Sequence, residues 1–91
     1  MLRDEAADIR RAAALALARF GRAAASSVPD LTAARRDTDG PVRMAVAFAL
    51  GEIGPEAQSA VSDLESLLGD VHDDVRRAAK TALEKIDNAK R

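Results

Sequence analysis

Apolar and polar residues alternate along the chain with the period of an amphipathic α-helix. From Val42 to Ile53 apolar side chains recur three and four residues apart, and Gly54 then ends the pattern. A second apolar face follows Pro55 and consists of Val61, Leu64, Leu67 and Leu68. These patterns, together with similar ones earlier and later in the chain, predict helices over residues 6–20, 27–36, 40–53, 57–68 and 73–88. We therefore expect an all-α protein built from antiparallel helix pairs.

The chain repeats itself with a period of 33 residues. The segment IRRAAALALARFG aligns without gaps on VRMAVAFALGEIG and again on VRRAAKTALEKID. Residues 9–41 and 42–74 are identical at 12 of 33 aligned positions, and a period of about 20 to 50 residues is typical of solenoids. We expect a single domain over 1–91, with the end of a truncated repeat at 1–8, repeats at 9–41 and 42–74, and a C-terminal half-repeat or cap at 75–91.

Composition supports a helical globular chain and excludes several classes of function. Hydrophobic residues make up 47% of the 91, 21 residues are Ala, and Phe20 and Phe48 are the only aromatics, so helix preference is high. The 14 Lys and Arg against 15 Asp and Glu leave no basic excess for nucleic acid. The absence of Cys excludes disulfides and thiolate metal sites. No leader-like or membrane-length apolar run is present, so we expect a cytoplasmic protein.

Five positions carry the same or a similar residue in each unit. They are Asp4, Asp37 and Asp70; Ile9, Val42 and Val75; Arg10, Arg43 and Arg76; Ala12, Ala45 and Ala78; and Leu17, Leu50 and Leu83. This pattern resembles HEAT repeats of the short bacterial type, also found in bilin-lyase-like proteins, and covers essentially the whole chain. The T-P-L-H-x-A run of ankyrin repeats and the aromatic positions of tetratricopeptide repeats are absent. The resemblance implies a right-handed α-solenoid of helix pairs that acts as a non-enzymatic protein-interaction scaffold.

The repeated acid and base suggest a structural role. An Asp in each turn between units and an Arg six residues later can form a charge-assisted ladder that joins neighbouring turns. Its members are Asp4, Arg10, Asp37, Arg43, Asp70 and Arg76. The alternative is that the three Arg side chains line an anion-binding strip, which the seven basic against nine acidic residues of 42–91 disfavour.

Neither catalysis nor metal binding has a convincing set of residues. His72 lies among Asp70, Asp73 and Asp74, which could bind a divalent metal weakly, but such residues also end one helix and begin the next. No Gly-x-Ser-x-Gly elbow or glycine-rich phosphate loop surrounds any Ser. We therefore expect no catalytic residue, no bound metal and no cofactor.

The second helix of each unit offers the candidate docking surface for a protein partner. The resemblance implies that these helices line the concave side of the solenoid. The candidate partner-binding residues are Asp30, Ala33, Arg35, Arg36, Ser59, Ser62, Asp63 and Ser66. Most are small and polar, whereas binding hot spots favour Trp, Tyr and Arg. The alternative interpretation is a solvated helix face without a partner.

The two ends of the chain differ. The last helix carries Lys80, Thr81, Glu84, Lys85, Lys90 and Arg91, which suit a water-facing cap. Helix 6–20 has apolar surface on more than one side, from Ala13, Leu15, Ala16, Leu17 and Phe20. Because a repeat buries its apolar side only against a neighbour, we hypothesise that another copy of the chain completes this end. The alternative is that the chain is part of a longer array.

The expected function is a protein-protein interaction or scaffold module that forms homo-oligomers through its N-terminal helices, without nucleic acid or membrane. The partner's identity does not follow from the residues. The alternative implied by the resemblance is an accessory or lyase-like protein that handles a chromophore or another prosthetic group. The absence of Cys, Tyr and Trp argues against that alternative.

Overall fold

Five α-helices follow one another in the computed structural model, which describes residues 2–88. They are α1 (Ala7–Phe20), α2 (Val28–Ala34), α3 (Gly40–Ile53), α4 (Val61–Leu67) and α5 (Asp73–Asn88). No strand occurs in this part of the chain, and the predicted all-α class is confirmed. Met1 of the predicted truncated repeat, and Lys90 and Arg91 of the predicted cap, lie outside the described residues.

The first helices of the first two units, α1 and α3, each end at a glycine. Gly21 after α1 and Gly54 after α3 have φ values of 54° and 79°, a left-handed conformation that side chains rarely adopt. The chain then runs through the 3-10 segments Gly21–Ser27 and Gly54–Ala60 before the second helices begin. The predicted helix over 57–68 therefore starts as an α-helix only at Val61.

The start of α3 is fixed by its own side chains. The Asp39 carboxylate accepts a hydrogen bond of 3.1 Å from the backbone N–H of Val42, which satisfies one of the donors that a helix leaves free at its N-terminus. Pro41 stands in the first turn, where the missing N–H costs nothing.

Helix α3 packs between α1 and α5, and the second helices cover the other side of the core. The largest fully buried side chains are Leu31, Leu50, Ile53, Leu64, Ile86, Val42, Val46 and Val75. The prediction that Leu68 points inward is wrong: its side chain is 42% exposed, because α4 ends at Leu67 and the chain turns there.

The contact between α3 and α5 depends on the absence of a side chain. A Cβ atom added to Gly51 would lie 2.8 Å from the Cα of Ala82, closer than real contacts allow. Gly51 belongs to a stripe of small residues with Ala47 and Gly54, all buried. The equivalent positions of α5 hold Lys80, Glu84 and Asp87, all exposed. The outer side of α5 thus lacks the small residues that allow α3 to pack closely against its neighbour.

Candidate interaction surface

The face of α1 turned away from α3 is apolar and uncovered. Its counterpart on α3 is buried by α1, so equivalent positions of the two helices can be compared directly. Ala12 and Ala16 are exposed, whereas the corresponding Ala45 and Ala49 are fully buried. The contrast is largest at Phe20, which is 67% exposed where Ile53 is fully buried. Helix α1 therefore carries a helix-packing surface that no other element of residues 2–88 covers.

An open groove of about 770 Å³ runs over this surface. It is lined by Leu2, Arg3, Ala12, Ala13, Ala16, Leu17, Asp30, Ala33 and Ala34. We call this set the α1 groove. Its lining is mostly Ala and Leu, which can take up apolar surface from a partner. Arg3 and Asp30 are its only charged residues, and neither side chain has an ion-pair partner within residues 2–88.

The residues predicted to bind a partner fall into three groups in the structure. Asp30 and Ala33 belong to the α1 groove. Arg35 and Asp63 form an ion pair with each other, with an Nη2 to Oδ1 distance of 2.9 Å, and so join the two second helices. The hydroxyl of Ser66 donates a 2.6 Å hydrogen bond to the carbonyl of Asp63. The third group, Arg36, Ser59 and Ser62, is exposed, and within residues 2–88 these side chains make no ion pair or hydrogen bond.

The six ladder residues lie along the turns between units. Arg10 donates from Nε and Nη2 to both carboxylate oxygens of Asp37, at 2.6 and 2.9 Å. Its Nη1 also donates to the carbonyl oxygen of Asp4 at 2.7 Å. The Arg10 guanidinium thus bridges one turn to the next, in the two-pronged geometry that makes Arg a strong partner for carboxylates.

Arg43 repeats this arrangement one unit later. It donates to both carboxylate oxygens of Asp70 at 2.7 and 3.1 Å, and to the carbonyl of Asp37 at 2.8 Å. Arg76 donates to the carbonyl of Asp70 and to the Asp73 carboxylate of its own helix. Since Arg10 and Arg43 are already held by carboxylates, the geometry does not support the anion-binding alternative for them.

The ladder shifts the acidity of its carboxyl groups. The side-chain hydrogen bond from Arg10 holds the pKa of Asp37 below its usual range, against the opposing effect of burial. Arg43 lowers the pKa of Asp70 in the same way, and the backbone N–H of His72 adds to the effect. The ionised form of each carboxyl group is therefore favoured more strongly in the folded chain than in the unfolded one.

Thermal stability is expected to fall in acid as these carboxylates are protonated. Because their pKa values lie below the ordinary value of about 3.9, the ladder stabilises fully above that value and is lost as pH falls through the lowered pKa. We expect Asp70→Asn to lower the melting temperature at neutral pH and to weaken its fall in acid, measured by circular dichroism. Asp74→Asn, which disturbs only an exposed pair, is the control. A full parental acid dependence in Asp70→Asn would contradict this role.

A sequence profile of HEAT repeats matches residues 1–88 of the chain. The chain belongs to the HEAT-repeat family. The helix pairs are therefore HEAT units, stacked in a solenoid-like fold. No curated protein gives a significant sequence match. HEAT repeats are commonly protein-protein interaction modules, and the uncovered α1 groove is a surface suited to that role.

His72 has a local structural role in this HEAT array. A Cβ atom added to Gly40 would lie 2.6 Å from Cδ2 of the His72 ring, so the imidazole lies directly against the start of α3. The backbone N–H of His72 donates to the Asp70 carboxylate. Within residues 2–88, no three His, Asp or Glu side chains are grouped so as to hold a metal ion.

A second exposed apolar surface, which was not predicted from the sequence, lies on the first helices. Leu15, Met44 and Phe48 line a groove of about 550 Å³ on the outward side of the first helices, and Phe48 is 44% exposed. Leu15 and Phe48 occupy equivalent positions 33 residues apart, which is the signal that could have revealed the surface.

None of the helices in residues 2–88 is long and apolar enough to cross a membrane.

Proposed function

We propose that the chain is a non-enzymatic protein-interaction module and that a second copy of the chain covers its α1 groove. The observation that carries the proposal is the contrast between equivalent helices: positions that are buried on α3 are exposed on α1. The small Ala side chains allow a partner helix to approach closely, and burial of the groove removes apolar surface from water.

The charges of the α1 groove favour a second copy that meets it face to face. In a two-fold contact each copy presents the same surface, so the surface must be complementary to itself. One cation, Arg3, and one anion, Asp30, in an otherwise apolar lining meet that condition. A head-to-tail contact is less favourable, because it would bring Lys80 and Glu84 of α5 against the groove and remove both from water.

The proposal is tested by placing a charge in the groove. Ala16→Glu introduces a carboxylate on the exposed face of α1, at a position that the monomer leaves in water. We expect it to weaken dimerisation by tenfold or more, on the order of 1.4 kcal/mol, in sedimentation experiments over a dilution series. The helical content and the monomer's melting temperature should stay close to those of the parent.

Ala23→Glu is the matched control, because Ala23 is exposed outside the α1 groove and its counterpart in the next unit is already Glu56. This variant should dimerise like the parent. If both variants weaken association equally, general charge and not the groove is responsible. If neither does, the second copy does not bind at the groove.

A further inference from the structure

The first helices of the three units present one continuous outward surface. Residues four apart lie on the same side of a helix, and α3 packs between α1 and α5, so three rows of three residues lie side by side. They are Arg11, Leu15 and Arg19 on α1; Met44, Phe48 and Glu52 on α3; and Arg77, Thr81 and Lys85 on α5. We call these nine residues the outer patch. It shares no residue with the lining of the α1 groove.

Contacts between the helices support this arrangement. Leu15, Met44, Phe48 and Arg77 line one groove together with Asp74, and Phe48, Arg77, Thr81 and Lys85 line the next. The ammonium of Lys85 lies 5.8 Å from the centre of the Phe48 ring and pairs with Glu52. The two grooves therefore meet at Phe48, which forms the centre of the outer patch.

The chemistry of the outer patch is an apolar centre with four cationic corners. Leu15, Met44 and Phe48 are apolar, and every corner of the arrangement is Arg or Lys. Glu52 is the single acid among the nine residues, which gives them a formal charge of +3 on a chain of net charge -1. Asp74 lines the same groove and lowers the charge of the surface to +2. Lys85 is paired with Glu52, and Arg77 with Asp73 and Asp74. In residues 2–88, Arg11 and Arg19 have no ion-pair partner.

We propose that the outer patch binds an acidic amphipathic helix of a partner protein. Arg11 and Arg19 are eight residues apart on α1, about 12 Å, with Leu15 midway. A helix with carboxylates at the same spacing and an apolar residue midway between them reproduces this pattern with opposite charge. Its apolar face lies on Leu15, Met44 and Phe48, and its carboxylates reach the cationic corners. This site is separate from the surface proposed to join two copies of the chain.

The apolar centre of the outer patch distinguishes it from a binding site for nucleic acid. Four cations, of which two are already paired with carboxylates, neutralise few phosphates. The side chains at the centre, Leu15, Met44 and Phe48, make a groove suited to aliphatic side chains. Duplex DNA is accordingly a competitor to include in the test.

The test uses a labelled synthetic peptide as the probe, with the full chain and fluorescence anisotropy as the readout. The peptide is an Ala-based helix with Leu at its centre and Glu four residues before and after it; the control peptide has Lys in place of both Glu. We expect the Glu peptide to bind at least about tenfold more tightly than the Lys peptide, and to lose affinity as salt is added. Equal binding of both peptides, binding of neither, or tighter binding of duplex DNA than of the Glu peptide would overturn the proposal.

Two chain variants locate the binding site. Arg19→Glu reverses a corner of the outer patch, and Arg22→Glu makes the same change of net charge at a 75% exposed side chain outside it. We expect Arg19→Glu to weaken binding of the Glu peptide by about tenfold and Arg22→Glu to change it by less than about twofold. Equal effects would show that overall charge is responsible and would overturn the proposal. Ala33→Glu, which places a carboxylate in the α1 groove from α2 and away from Arg19, should leave peptide binding unchanged, so failure of one proposal is distinguishable from failure of the other.

Discussion

Leu50→Ala is expected to lower the free energy of unfolding by about 2 to 5 kcal/mol. The Leu50 side chain is 1% exposed and lies on α3, which packs against both other first helices, so its loss leaves a cavity that neighbours cannot easily fill. Leu64→Ala, at a fully buried position of α4, should behave similarly. The measurement is urea unfolding followed by circular dichroism. For an array this small the loss is a large part of the total stability.

Leu68→Ala provides the matched control for these cavities, because the same atoms are removed from a side chain that is 42% exposed. It should cost less than about 1 kcal/mol. If Leu50→Ala unfolds at the parental urea concentration, the core described for α3 is wrong.

Gly51→Ala is expected to destabilise the chain by about 1 to 3 kcal/mol, although Ala favours a helix over Gly by about 1 kcal/mol. The added Cβ would meet the backbone of Ala82 at 2.8 Å, and backbone cannot move aside without shifting α5. Thermal unfolding by circular dichroism measures the effect.

Gly69→Ala is the control for this close approach, since the nearest atom to its Cβ is the Ser66 carbonyl oxygen at an ordinary 3.9 Å. It should change stability little. An equal or higher melting temperature for Gly51→Ala would mean that α3 and α5 do not approach as closely as described.

Much of the fold could be predicted because the 33-residue offset made every apolar position visible more than once. The glycines at 21 and 54 marked the ends of the first helices, and the structure places those ends at Phe20 and Ile53. The starts of the second helices were harder to predict. Between Gly54 and Val61 the chain forms a tighter helix, for which the spacing of apolar residues carries no distinct signal.

The candidate sites were predictable only where local spacing controls them. The repeat offset pointed to an uncovered α1, because each unit buries its face against a neighbour. The pair between Arg35 and Asp63 joins residues 28 positions apart, and nothing in the periodicity of one helix indicates such a contact. The outer patch depends on the side-by-side packing of three helices, and its one sign in the sequence is the equivalence of Leu15 and Phe48 across the 33-residue offset.

The mass of the chain in solution tests the central claim, that α1 carries an interaction surface which a second copy covers. Size exclusion coupled to light scattering over a dilution series gives that mass directly. We predict a species of about twice the 9.6 kDa chain mass that dissociates to the monomer on dilution. A monomer of 9.6 kDa at every concentration, with cooperative thermal unfolding, would contradict the claim and show that the α1 groove does not bind a second copy.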